Sequence, residues 1–126
     1  MIVHLALIQG SSPNPVVRLV FINETEYLQY LSPHHAFVGI PWGEESFVFD
    51  RQSRYTGPVA RRMPLTSNDH LITVEPRKKL TSVEYDLTKA SLLPNLPARV
   101  RYEAFNPIHG FEHGLELLQS NWVELP

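Results

Sequence analysis

Val16-Val-Arg-Leu-Val-Phe-Ile-Asn23 is a run of β-branched, aliphatic and aromatic residues broken by a single charge. Such residues fit a pleated, packed surface better than a helix. With period two, Val17, Leu19 and Phe21 share one face, and Val16, Val20 and Ile22 share the other with Arg18. A strand that is apolar on both faces belongs in the middle of a sheet or beneath a cover. This stretch therefore predicts a central β-strand, and the remaining sequence has to supply its neighbours.

The neighbours are short apolar runs punctuated by prolines. There are 11 prolines in 126 residues, which argues against long helices, because an interior proline removes a donor and clashes with the preceding turn. Residues 2–8 read as a first strand, followed by a loop at Gly10-Ser-Ser-Pro-Asn-Pro15. Further strands are expected at 27–31, 37–40, 46–50, 53–55, 59–63 and 70–74. From 80 to 87 the phase puts Thr81, Val83, Tyr85 and Leu87 on one face. From 98 to 104, Ala98, Val100, Tyr102 and Ala104 oppose Arg99, Arg101 and Glu103, the half-buried alternation of an antiparallel strand. Residues 88–93 read as a helical turn and 115–125 as a last strand. This gives an all-β, immunoglobulin-like antiparallel β-sandwich of about seven to nine short strands in a single domain, 1–126. The expected core is Val17, Leu19, Phe21, Phe47, Phe49, Val83, Tyr85, Val100 and Tyr102.

Bulk properties narrow the function. The net charge is −2, from 13 acids and 11 bases, which leaves no footprint for nucleic acid. The basic clusters Arg61-Arg62 and Arg77-Lys78-Lys79 are short and read as turns. With no cysteine there is no disulfide framework, thiol nucleophile or cysteine zinc site. The apolar start is too short to span a membrane and lacks a leader's basic segment and cleavage site. If Met1 is the native start, the expected location is the cytoplasm; if a leader was removed, it is the periplasm or the exterior. Asn23-Glu-Thr25 matches a glycosylation acceptor and is read as a chance match.

Few residues suggest chemistry. His109-Gly-Phe-Glu-His113 fits H-x-x-E-H, in which two histidines on one helix face bind zinc and the glutamate acts as base. Pro107, Gly110 and Gly114 make a poor helix. His34-His35 has the chemistry of a metal ligand or a pH sensor but reads as two exposed loop histidines, and Glu44-Glu45 and Asp69-His70 read as turn decoration. No G-x-S-x-G elbow or phosphate-cradling glycine loop is present, and the six glycines are scattered. The expectation is no catalytic residue, no metal and no cofactor. Loop aromatics offer more: Trp42, in Pro-Trp-Gly, and Phe111 either fold back to cap the open ends of the sandwich or are candidate anchors for a partner, together with His109, His113, Arg61 and Arg62.

In order along the chain stand Val16 to Asn23, Phe47-Val-Phe49, Tyr55-Thr-Gly-Pro58, Arg61-Arg-Met-Pro64 and Asp69-His-Leu-Ile-Thr-Val-Glu-Pro76. Val83-Glu-Tyr-Asp-Leu-Thr88, Val100-Arg-Tyr102 and Ser120-Asn-Trp-Val123 follow. This ordered set resembles the small β-sandwich domain that precedes the catalytic domain in deuterolysin and peptidyl-Lys metalloendopeptidases, the aspzincins. The chain departs from the pattern after Pro76, where a glycine is expected and the turn should be rebuilt. It also departs at 106–114, which is longer and richer in histidine and aromatics. It shows no counterpart of the protease domain, so none of that family's catalytic residues carries over. The resemblance implies a non-catalytic module that binds a protein, a metallopeptidase among the candidates, as inhibitor, immunity protein or chaperone. Two other readings stand beside it: a small zinc hydrolase using 109–113, and a structural or adhesive module pairing through a sheet edge.

Overall fold

The computed structural model describes residues 1–8, 14–33, 46–50, 71–87 and 97–126. Its elements are β1 (Ile2–Ile8), β2 (Val16–Ile22), β3 (Gln29–Leu31), β4 (Phe47–Phe49), β5 (Ile72–Val74), β6 (Lys79–Thr81), β7 (Tyr85–Asp86), β8 (Ala98–Asn106), β9 (Glu116–Gln119) and β10 (Val123–Leu125). All described pairings are antiparallel. Among the described residues no helix is long and apolar enough to cross a membrane. The expected strands at 37–40, 53–55 and 59–63, and the helical turn at 88–93, lie outside the described residues.

The strand from Val16 is central, as its two apolar faces require. It lies between β1 on one side and β6 with β7 on the other. The second sheet places β8 between β4 and the pair β9 and β10. These orders correspond to A-B-E facing C-F-G in an immunoglobulin sandwich. Across the core, Phe21 of β2 meets Tyr102 of β8 edge to face, with ring centroids 5.7 Å apart at 82°. One flank is closed by Phe47 of β4 stacked on Tyr85 of β7 at 5.4 Å. At the other flank the Asn121 amide bonds the main chain of Leu5. A third, two-stranded sheet, β3 with β5, covers one end.

Val17, Leu19, Phe21, Phe47, Phe49, Val100 and Tyr102 are buried as expected, and Tyr85 packs against the cluster half-buried. Val83 is not in the core; it is 49% exposed. The cause is a β-bulge. Val20 faces Thr81 while Val17 faces Tyr85, so three steps along β2 are met by four on the opposite strand. Ser82 fills the place opposite Leu19: its N–H donates to Leu19 O at 2.8 Å, and its hydroxyl accepts from Leu19 N–H at 2.9 Å. Because one extra residue reverses the phase, Val83 turns outward and Leu87 returns to the core.

The final expected strand is split by the same device. Glu103 faces Gln119 and Val100 faces Val123, again three steps against four. Ser120 N–H donates to Tyr102 O at 2.9 Å, and its hydroxyl accepts from Tyr102 N–H at 2.8 Å. Both serine hydroxyls then donate to the next carbonyl, Val83 O and Asn121 O. On β8 the outward set also differs from a uniformly solvated face. Glu103 is buried, ion-paired to Arg101 and bonded by Gln119 Nε2 at 2.6 Å. The Trp122 ring lies under the Arg101 and Arg99 guanidinium groups, at 4.6 and 5.4 Å.

Candidate functional site

Three turns gather at one end of the sandwich: 23–28 after β2, 75–78 before β6, and 107–115 between β8 and β9. The ladder places them there, since Ile22 faces Lys79 and Ile2 faces Ile22. Cross-links hold 107–115 at the same end. Tyr30 N–H donates to Ile108 O at 3.0 Å, and Ser32 N–H to Asn106 Oδ1 at 2.9 Å.

The turn at 23–28 is organised by Asn23, whose side chain is fully buried. Its Nδ2 donates to Tyr27 O at 2.7 Å and to Val74 O at 2.9 Å, and its Oδ1 accepts from Thr25 N–H at 2.9 Å. This Asx-type turn fixes the backbone on which Tyr27 stands. Tyr27 is 77% exposed and Leu28 beside it is also exposed. The same geometry disposes of the glycosylation match, because the nitrogen that would carry a glycan is buried and donates two hydrogen bonds.

The turn at 75–78 closes with Lys78 N–H on Glu75 O at 3.1 Å, and Asn23 N–H ties it to Lys78 O at 3.0 Å. Arg77 takes φ 61. Pro76 followed by a positive φ matches a type II turn. The turn closes without a glycine after Pro76, with an arginine in the left-handed region. An ion pair with Glu26 joins it to the 23–28 turn.

Residues 107–115 present the histidine motif. Ile108 anchors the segment in the core. Gly110 N–H bonds Pro107 O at 2.9 Å, and His113 N–H bonds Gly110 O at 3.1 Å. Phe111–His113 is a single 3-10 turn between Gly110 at φ 99 and Gly114 at φ 80. His109 lies before that turn, so the α-helical face that would align it with His113 is not formed. His109 Nε2 instead approaches Glu116 Oε2 at 3.3 Å, a salt bridge when the imidazole is protonated. Among the described residues no group of three His, Cys, Asp or Glu could hold a metal ion. Phe111 is 37% exposed and outside the core cluster.

Of the candidate anchors, His109, Phe111 and His113 thus share one segment at this end. Trp42, Arg61 and Arg62 lie outside the described residues, as do His34-His35, Glu44-Glu45 and Asp69-His70. Tyr27 is not legible as a site residue in the sequence, where 27–31 reads as one strand; β3 begins at Gln29. The signal was Asn23-x-Thr25, an Asx-turn opener directly after an apolar run.

A groove of about 510 Å³ lies at the opposite end, lined by Leu7, Pro97, Ala98, Leu125 and the Asp50–Arg99 ion pair. No protein-family model and no curated protein matches this sequence.

Proposed function

We propose that the protein is a non-catalytic binding module that engages a protein partner through the end formed by 23–28, 75–78 and 107–115. The observation that carries this reading is Tyr27, a large aromatic left 77% exposed on a turn locked by a buried asparagine. An aromatic presented on a pre-ordered backbone loses little conformational entropy on binding, and Tyr is enriched in binding hot spots. Phe111, on a hydrogen-bonded turn at the same end, adds a second anchor. The order of strand and turn motifs resembling the aspzincin accessory domain supports a metallopeptidase as the partner, with inhibition, protection or chaperoning as the outcome.

The test uses a purified deuterolysin-type protease domain as probe, with binding followed by calorimetry and cleavage of a general peptide followed by fluorescence. Saturable binding that weakens in Tyr27→Ala supports both the module and its partner class. Absence of binding removes the metallopeptidase assignment; affinity capture and mass spectrometry then test the wider reading. The protein alone should not hydrolyse the peptide. Cleavage by the purified chain that disappears in Glu112→Gln would replace this reading with the zinc hydrolase.

A further inference from the structure

The hydrogen-bond phase of β9 decides which of its edges is engaged. Ser120 N–H bonds Tyr102 O, so Leu118 and Glu116 share that phase and turn their main-chain groups toward β8. Leu117 and Gln119 direct their N–H and C=O away from it. On that side, among the described residues, no strand pairs with β9. The neighbouring β1 is joined to the chain beyond β9 by the Asn121 amide at Leu5. Open edges are commonly guarded by lysine, proline or an inward charge. Residues 115–119 read Leu-Glu-Leu-Leu-Gln, with Glu116 the one charge, and Leu115 and Leu117 are exposed, Leu117 at 42%.

We propose that this edge pairs with the same edge of a second copy of the chain, antiparallel about a two-fold axis at Leu117. Self-complementarity selects a second copy over a foreign strand. At the axis stands a residue whose main chain already points outward, so Leu117 and Leu117 of the partner subunit exchange both hydrogen bonds. Leu115 then faces Gln119 of the partner subunit, and Glu116 faces Leu118 of the partner subunit. No glutamate meets its symmetry mate, and a leucine pair sits at the centre of the outward face, the kind of cross-strand contact that stabilises a sheet. The two β4-β8-β9 sheets become one. This inference goes beyond the loop-end reading and stands or falls separately from it.

The test is sedimentation equilibrium across a wide concentration range, with amide hydrogen exchange on the same samples. The wild type should show a monomer–dimer equilibrium, with the Leu117 amide protected only where dimer forms. Leu117→Pro removes an N–H that β8 does not use, and Leu117→Lys adds a guard charge. Each should raise the dimer dissociation constant at least about tenfold. Circular dichroism shows whether each variant is folded, and the lysine variant carries the test if the proline one is not. A wild type that stays monomeric overturns the proposal. So does a Leu117 amide protected in the monomer, which would mean that β1 already pairs this edge, and so does unchanged dimerisation in the folded variants.

Discussion

The side-chain amide of Asn121 makes both main-chain hydrogen bonds of Leu5: Oδ1 accepts from Leu5 N–H at 2.9 Å and Nδ2 donates to Leu5 O at 3.0 Å. A side chain thus stands in for a strand residue and joins the two sheets along one flank. Leu7, further along β1, shares a groove with Leu125, further along β10. The two strands therefore run the same way. Asn121→Ala should cost about 1–3 kcal/mol, the range for leaving partly buried polar groups unpaired. Asn121→Asp should do no better, because a carboxylate cannot donate to Leu5 O. Urea unfolding of the three proteins checks this; an Asp variant as stable as wild type would mean that the donor half of the pair contributes nothing.

Ser82 and Ser120 perform one task in two sheets. Each hydroxyl accepts the N–H of a buried residue on the opposite strand, Leu19 or Tyr102, at the point where an extra residue enters. Ser82→Ala and Ser120→Ala each strand a buried donor and should each destabilise by about 1–3 kcal/mol. The sites lie in different sheets, so the double variant should show nearly additive losses. Losses below about 0.5 kcal/mol in both would show that water or a backbone shift satisfies the exposed N–H groups.

These serines also mark where the sequence stopped being legible. The central strand, the buried set on β8 and the all-β class follow from residue type and period two, because side-chain phase is a local property. A bulge reverses that phase without changing composition. Across 80–87 the residue types read as one clean alternation, and nothing in them separates Val83, turned to solvent, from Tyr85, turned to the core. A serine between apolar residues was the available hint, since its hydroxyl can replace a strand donor or acceptor. Ser120-Asn121 gave the same hint before Trp122. At the candidate site, the exposed Phe111 turn was legible from its flanking glycines. Tyr27 was not, because its exposure depends on Asn23 bonding Val74 O, a partner 51 residues away.

Arg77 is the described non-glycine residue at positive φ. Left-handed backbone costs a side-chain-bearing residue about 1–2 kcal/mol. Its ion pair with Glu26 is exposed, and such a pair returns at most about 1 kcal/mol, less in salt. Arg77→Gly should therefore raise the unfolding midpoint, most clearly in high salt where the pair is screened. If the glycine variant is less stable in high salt, the arginine is held by contacts other than Glu26.

Stability should fall at both pH extremes, each for a named group. Asp50 accepts from Arg99 N–H at 2.8 Å and from Arg99 Nε at 3.0 Å, and these bonds hold its carboxyl below the ordinary aspartate value. A carboxyl lowered in the folded state stabilises above its unfolded pKa, and that contribution disappears as pH falls through the folded value. Asp50→Asn should therefore flatten the acid limb. Tyr102 moves the other way: burial pushes its hydroxyl above the ordinary tyrosine range, outweighing the Asn106 hydrogen bond. The unfolded chain releases that proton first, so stability drops as pH rises past about 10. Tyr102→Phe should be less stable near neutrality, because Asn106 Nδ2 loses its acceptor, yet show a shallower alkaline limb. Melting temperatures across pH compare the slopes; parallel curves for wild type and variant would remove that residue from the account.

The loop-end reading makes its sharpest demand on Tyr27 and Phe111. Neither belongs to the core cluster, and Tyr27 is the most exposed large apolar side chain described. Truncating Tyr27 to alanine should leave melting within about 0.5 kcal/mol of wild type, as for an ordinary surface change. If Tyr27 is a true anchor, the same truncation should remove at least about 2 kcal/mol of binding, roughly thirtyfold in affinity. Phe111→Ala should behave alike if both turns face one partner. Asn23→Ala provides the internal control. It leaves Tyr27 in place but removes the amide that orders its turn and satisfies Val74 O. It should therefore weaken binding and also lower stability, by about 1–3 kcal/mol. Calorimetric titration of the captured partner, paired with melting of each variant, separates the cases. Loss of binding without loss of stability in Tyr27→Ala, and loss of both in Asn23→Ala, is the expected pattern. Normal binding by both aromatic variants would move the interface to a sheet face or edge, and early melting of both would make these side chains caps on the sandwich.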